Sequence, residues 1–168
     1  MAAGPPAVAF VGPSGSGKTT ALAAVIRLLA SRGLAVGVLK LTNRPFEIDR
    51  PGTDTSVLKE AGARAVAIRG AGRFALVRDD DPPLAPDEII RRYLADADIV
   101  LVEGGKTTAL PKIEFLPPAG GPGPDVSPPV VARAARGGGP AAGGVPALDA
   151  DRPEDLADFI SRRFALEY

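Results

Sequence analysis

Val8-Ala9-Phe10-Val11-Gly12-Pro13-Ser14-Gly15-Ser16-Gly17-Lys18-Thr19-Thr20 is the stretch whose reading decides the fold. A short apolar run enters a G-x-x-x-x-G-K-T loop, and an apolar-periodic segment leaves it. Glycines let such a loop wrap tightly, so that backbone N–H groups point inward at phosphate oxygens. Lys18 can reach the outer phosphates as a point charge, and Thr19 offers a hydroxyl to Mg²⁺. The helix that starts there turns its positive end toward the same anion. Ala7 to Val11 reads as a buried strand. Thr20 to Ser31 reads as a helix with Leu22, Val25, Ile26 and Leu29 on one face. The expected nucleotide-binding residues are Gly12, Ser14, Gly15, Ser16, Gly17, Lys18, Thr19 and Thr20. The bland alternative is a glycine-rich turn that only reverses the chain.

Downstream, Gly33 suits a helix C-cap, and Leu34 to Leu39 reads as a second buried strand. Strand, helix, strand makes a βαβ unit and predicts a parallel sheet. Thr42 to Gly52 is a polar loop ending in a Pro-Gly turn, and Thr53 to Glu60 a short helix stopped by Gly62. Ala65 to Ile68 and Phe74 to Val77 flank Gly70-Ala71-Gly72-Arg73, a hairpin signal. Being antiparallel, that hairpin belongs at a sheet edge or outside the parallel core, with an edge free to pair with a second chain. Asp79 to Pro83 is a solvated turn and Pro86 to Leu94 a helix. Ile99 to Val102, Ile113 to Leu116, Val130 to Ala132 and, more weakly, Val145 to Leu148 read as strands. Pro153 opens a last helix with Leu156, Phe159, Ile160 and Phe164 as its buried stripe. The expected class is α/β, a P-loop NTPase with a mostly parallel sheet flanked by helices and an antiparallel hairpin extension. The expected organisation is a single domain over 1–168 with a hairpin appendage at 65–78.

Composition narrows the chemistry. The 168 residues suit one domain of ordinary size, and 20 Lys and Arg balance 20 Asp and Glu. That balance suggests neither a nucleic-acid glove nor a polybasic membrane patch. No apolar run approaches spanning length, and the N-terminus lacks a secretory pattern, so the default expectation is a cytoplasmic protein. Cysteine and histidine are both absent. Thiolate nucleophiles, disulfides and imidazole acid–base catalysis are excluded, leaving oxygen ligands and hard cations such as Mg²⁺. Pro117 to Pro129 and Gly137 to Gly144 are rich in Gly and Pro and read as surface loops.

A P-loop needs a second acid near its Mg²⁺, at the end of a neighbouring core strand. Asp98-Ile99-Val100-Leu101-Val102-Glu103-Gly104-Gly105 supplies one in Glu103, with a solvated strand-end Glu as the alternative. Lys18 and Glu103 are thus the catalytic candidates, and Thr19, Asp49 and Glu103 the metal candidates. Asp49 lies in Glu47-Ile48-Asp49-Arg50-Pro51-Gly52-Thr53-Asp54. A switch loop there would supply a metal-facing acid. Equally, the segment reads as a Pro-Gly turn with Thr53 or Asp54 capping a helix. Lys40 and Lys106 fall on the ligand side of a parallel sheet, as phosphate contacts or as solvated lysines. Lys112 and Glu114 alternate with Ile113 and Phe115, the pattern of a half-buried strand. No Asn-Lys-x-Asp sequence is present, so the motifs alone leave ATP and GTP open.

These segments, in this order, resemble the MobB family, the adaptor proteins of molybdopterin guanine dinucleotide biosynthesis. The resemblance rests on Gly12 to Thr19, Phe46 to Asp54, Glu60-Ala61-Gly62-Ala63, Asp98 to Lys106, Pro111-Lys112-Ile113-Glu114 and Val145 to Glu154. It implies a P-loop fold that binds GTP with Mg²⁺ and hydrolyses it slowly. It also implies a homodimer that assists the molybdopterin guanylyltransferase, with the molybdopterin cofactor as a candidate ligand. It raises Asp49 and Glu103 as metal-site residues and gives the hairpin near Ala65 to Val77 a dimerisation role. Two departures stand out: Leu41-Thr42-Asn43-Arg44 follows Lys40 where family members carry histidines, and Gly105 replaces an aromatic residue. Base recognition is expected in Ala134 to Gly144. A small-molecule kinase using ATP is the competing reading, with Arg64, Arg69, Arg73 and Arg78 as lid arginines. A nickel-type metallochaperone is disfavoured by the missing Cys and His.

Overall fold

A computed structural model describes residues 4–117, 125–139 and 144–168. It divides into two compact units, Met1–Thr42 with Pro86–Tyr168, and Asn43–Ala85.

The first unit is a six-stranded sheet whose pairings are all parallel. Its strands are β1 (Ala7–Val11), β2 (Val36–Lys40), β5 (Ile99–Glu103), β6 (Lys112–Phe115), β7 (Val130–Ala135) and β8 (Ala147–Asp149), in spatial order β2-β5-β1-β6-β7-β8. Side-chain alternation sorts the sheet into two apolar faces. Val8, Phe10, Ile99, Leu101, Ile113, Phe115, Ala132 and Ala134 pack on α1 (Lys18–Ser31) and α4 (Pro153–Phe164). Ala9, Val11, Val100 and Val102 pack on Ile90 and Leu94, at α3 (Pro86–Tyr93) and just beyond it. Phe10 and Phe115 stack with ring centroids 5.5 Å apart in the first core. Burying an aromatic ring of this kind contributes about 1.5–3 kcal/mol.

The helix α1 starts at Lys18, two residues before the sequence expectation, because Gly17 takes the N-cap where Ser, Thr or Asp usually marks a start. Its buried residues are Ala21, Leu22, Val25 and Leu29, with Ile26 half-buried beside them. The strand β6 departs from expectation. All four of its residues are buried, Lys112 and Glu114 included. It lies between β1 and β7 and is covered on both faces, so its polar side chains are satisfied internally instead of by water. Lys112 Nζ donates to the carbonyls of Thr108 and Leu110. Arg133 Nε donates to Glu114 Oε2 at 2.8 Å.

The second unit holds α2 (Asp54–Glu60) and a two-stranded antiparallel sheet, β3 (Ala65–Gly70) with β4 (Arg73–Arg78). The hairpin turns on Ala71-Gly72, and its strands reach one or two residues further toward that turn than the apolar runs alone predict. Thr53 caps α2 by accepting from Ser56 N at 3.4 Å. Parts of the two Gly/Pro-rich stretches, residues 118–124 and 140–143, lie outside the described residues. Among the described residues no helix is long and apolar enough to cross a membrane.

Candidate nucleotide site

The turn from β1 into α1 sits at the carboxyl end of the sheet, where parallel-sheet proteins bind ligands. Gly12 leaves β1 directly beside β6. A side chain there would begin 2.4 Å from the Phe115 carbonyl oxygen, so the backbone approach excludes any larger residue. Ser14 and Gly15 form the exposed crest. Ser16 is buried and braces the loop from within, its hydroxyl donating to the Pro13 carbonyl at 2.9 Å. Lys18 Nζ donates to the same carbonyl at 2.5 Å and to Ser16 Oγ at 3.2 Å. Burial pushes the Lys18 ammonium below the usual lysine range, and the nearby Glu103 carboxylate partly offsets that.

The start of α1 differs from the other helices. Gly17 offers no side-chain cap, and the first turn carries no acid. The first turns of α2, α3 and α4 hold Asp54, Asp87 with Glu88, and Glu154 with Asp155. Those carboxylates complement the helix dipole, whereas α1 leaves its positive end and its first N–H groups to an anion.

The sheet brings Glu103 to this point. Parallel pairing sets Phe10 opposite Glu103, and Glu103 opposite Lys40 on the other side. Ile99 and Leu101 face α1, so Glu103, two residues on, falls on that face too. Its Oε1 accepts from Thr19 Oγ1 at 2.8 Å, and its Oε2 lies 3.6 Å from Lys40 Nζ. The carboxylate is largely shielded, while Lys40 is 65% exposed. Adjacent ligands of an octahedral Mg²⁺ stand roughly 3 Å apart, given metal–oxygen distances of about 2.0–2.1 Å. The Thr19–Glu103 spacing therefore fits the cation that the motif requires. Lys106 is exposed, and Asp98 is structural: its Oδ2 accepts from Ala35 N at 2.7 Å.

Asp49 lies in the second unit. Its Oδ1 accepts from Thr53 Oγ1 and from Arg50 N, each at 2.9 Å. Hydrogen bonds from Thr55 and then Thr53 hold its carboxyl below the usual aspartate range. The turn-and-cap geometry is thus present at this loop. Among the described residues no group of three or more acidic side chains gathers as a metal cage.

Arg136, within the stretch Ala134 to Gly144 where base recognition is expected, stands beside this loop. One of its terminal nitrogens comes 3.8 Å from where a side chain on Gly17 would begin. Alternation points to it: Ala132 and Ala134 belong to the core shared with α1 and α4, and Arg136 continues that face of β7.

The family described as molybdopterin guanine dinucleotide synthesis protein B, MobB, matches residues 7–134. The molybdopterin-guanine dinucleotide biosynthesis adapter protein of Escherichia coli is 33% identical over 166 residues, covering 92% of this chain and 91% of the relative. The adapter protein of Haemophilus influenzae is 35% identical over 109 residues, covering 64% of this chain and 61% of the relative. The crystal structure of Bacillus subtilis MobB superposes with a TM-score of 0.77 at 25% identity, covering 96% of this chain and 99% of that one.

Proposed function

The chain belongs to the MobB family, and from that premise we propose that it is a GTP-binding adaptor in molybdopterin guanine dinucleotide biosynthesis. On this reading it binds GTP with Mg²⁺, hydrolyses it slowly, and assists the guanylyltransferase that joins GMP to molybdopterin. The observation that carries the nucleotide half is the 2.8 Å contact between Thr19 and Glu103 at the uncapped, acid-free start of α1.

Thr19 and Glu103 would hold the cation. The cation would supply charge neutralisation at the phosphoryl oxygens. Lys18, released from the Pro13 carbonyl, would place its ammonium against the outer phosphates. The backbone N–H groups of the loop would fix the phosphate chain. No residue takes the role of catalytic base in this scheme, which accords with slow turnover and a holding role.

The homodimer is also part of the proposal. Phe74 is 67% exposed and Leu76 is 37% exposed on the hairpin, apolar surface suited to a second copy. The kinase reading loses ground because Arg69, Arg73 and Arg78 belong to the strands of that hairpin, and Arg64 is tied to the Asp81 carbonyl.

Calorimetric titration of non-hydrolysable GTP and ATP analogues with Mg²⁺, on wild type and Lys18→Ala, tests the reading. GTP binding that Lys18→Ala abolishes is the expected result. Preference for ATP, or GTP binding that survives the substitution, would overturn it.

A further inference from the structure

We propose that Lys112 is a positioning residue for the outermost phosphate: from inside the sheet it ties down the loop that follows β5, and through that loop it makes the site prefer a triphosphate to a diphosphate. This inference rests on the nucleotide reading above and adds to it a residue that itself touches no ligand.

Packing alone does not account for a lysine here. Lys112 stands opposite Ala9 in register, on the face of the sheet turned away from α1, and it is completely buried. Glu114, the acid on the same face of β6, is engaged by Arg133. Among the described residues Lys112 forms no ion pair, and burial pushes its ammonium below the usual lysine range. A buried ammonium without a counter-charge costs more than an apolar side chain of similar length. What the ammonium holds instead is main chain. It donates to the carbonyls of Thr108 and Leu110, the second at 2.9 Å, and both belong to the connection from β5 to β6.

That connection needs a tie. It leaves Glu103 through Gly104 and Gly105, at φ +93° and +76°, so its first two residues have no side chain to anchor them. Thr108 closes the turn that follows: its N and Oγ1 both donate to the Gly105 carbonyl, at 3.1 and 2.8 Å. The closed turn is then fastened at two points. Ser127 N donates to the Lys106 carbonyl at 3.0 Å, and Lys112 holds the Thr108 carbonyl. Because the loop continues directly from Glu103, it borders the end of the site where the cation and the outer phosphates belong. Its one charged side chain, Lys106, is exposed and forms no ion pair among the described residues. A triphosphate brings to that end one phosphoryl group more than a diphosphate does. A fixed loop therefore presents its ammonium to the triphosphate, and a loosened one loses that contact while the inner phosphates keep theirs on the P-loop.

Titrations of the full chain with a non-hydrolysable GTP analogue and with GDP, both in Mg²⁺, test this. Wild type is compared with Lys112→Met, Thr108→Val, Lys106→Ala and the double variant Lys112→Met with Lys106→Ala. Met keeps an unbranched side chain of similar length and removes the donor. Lys112→Met is expected to weaken the GTP analogue roughly fivefold or more and to leave GDP within about twofold. Thr108→Val opens the same turn without touching the core, and is expected to narrow the GTP-to-GDP ratio in the same direction. With Lys106 already replaced, Lys112→Met is expected to add little further loss. Equal losses for both nucleotides would make Lys112 a structural residue and overturn the inference. Unchanged affinities would overturn it, as would full additivity of the Lys106 and Lys112 effects, or a wild type that binds GDP and the GTP analogue equally. Should Lys112→Met fail to fold, Thr108→Val decides, and a wild-type ratio in it overturns the inference. Failure of folded wild type to bind either nucleotide would overturn the nucleotide reading itself, a result distinguishable from all of these.

Discussion

Replacing Glu103 by Gln separates a metal-holding carboxylate from one that only braces the loop. Gln keeps the shape and can still accept from Thr19, but removes one negative charge beside the phosphate position. With Mg²⁺ present, the lost charge weakens the metal–nucleotide complex. Without Mg²⁺, the wild-type carboxylate repels the phosphates, so Gln relieves the repulsion. Coulomb's law at an effective dielectric of about 20 gives roughly 2–3 kcal/mol for unit charges about 6–7 Å apart. The open mouth of the site, the exposed Lys40 at 3.6 Å from the carboxylate, and added salt reduce this to about 1 kcal/mol, a factor of about five. The variant should therefore bind GTP several-fold more weakly than wild type in Mg²⁺, and several-fold more tightly in EDTA. Calorimetry at one fixed ionic strength in both conditions reads this directly. If Glu103→Gln weakens binding by the same factor with and without Mg²⁺, Glu103 acts only by positioning Thr19, and the metal argument fails.

Gly104→Ala should destabilise the first unit by roughly 2–4 kcal/mol, because Gly104 has φ +93° and a side chain would begin 2.5 Å from the Leu41 carbonyl oxygen. A urea midpoint shifted by less than about 1 kcal/mol equivalent would contradict that packing. Lys18 titrates below the usual lysine range because of burial, and a phosphate beside it raises it again. Nucleotide binding should therefore take up protons increasingly as pH rises from neutral toward Lys18's free-state pKa, and affinity should fall over the same interval. Calorimetry in buffers of different ionisation enthalpy checks the uptake, and an uptake that does not grow over that interval would remove Lys18 as its source. Phe74→Glu should convert a dimer to a monomer in sedimentation analysis while leaving GTP binding intact, and an unchanged mass would remove the hairpin from the interface.

The βαβ unit around the P-loop was legible because its information is local. The apolar run, the loop spacing and the helical stripe all lie within one short segment, and each points to the same fold. The order of the strands is not local. That β5 inserts between β1 and β2 depends on long-range pairing, so Glu103 could be nominated from the motif's needs, but its contact with Thr19 had to come from the structure. Lys112 and Glu114 were misread because period-two alternation looks the same whether the polar face meets water or internal partners. Lys112 meets the Thr108 and Leu110 carbonyls, and Glu114 meets Arg133, groups that only the folded chain brings near. Arg136 was legible only as one member of the stretch Ala134 to Gly144, because the Gly-rich run after it reads as a loop; β7 carries the alternation up to it.

The apolar strand β5 therefore does more than fill the core. Ile99, Val100, Leu101 and Val102 are completely buried, which fixes which residue stands opposite Phe10. Slipping that pairing by one residue would exchange the two faces of β5 and turn Glu103 away from α1. The apolar pattern forbids the slip, since it would press Ile99 and Leu101 against α3 in place of α1 and leave their present contacts unfilled. A carboxylate 84 residues distant in sequence is thereby held within hydrogen-bonding reach of the P-loop hydroxyl by hydrophobic register alone. The same logic runs through β2 to Lys40 and through β7 to Arg136, so the charged groups around the loop inherit their positions from the pairing of the strands that carry or precede them.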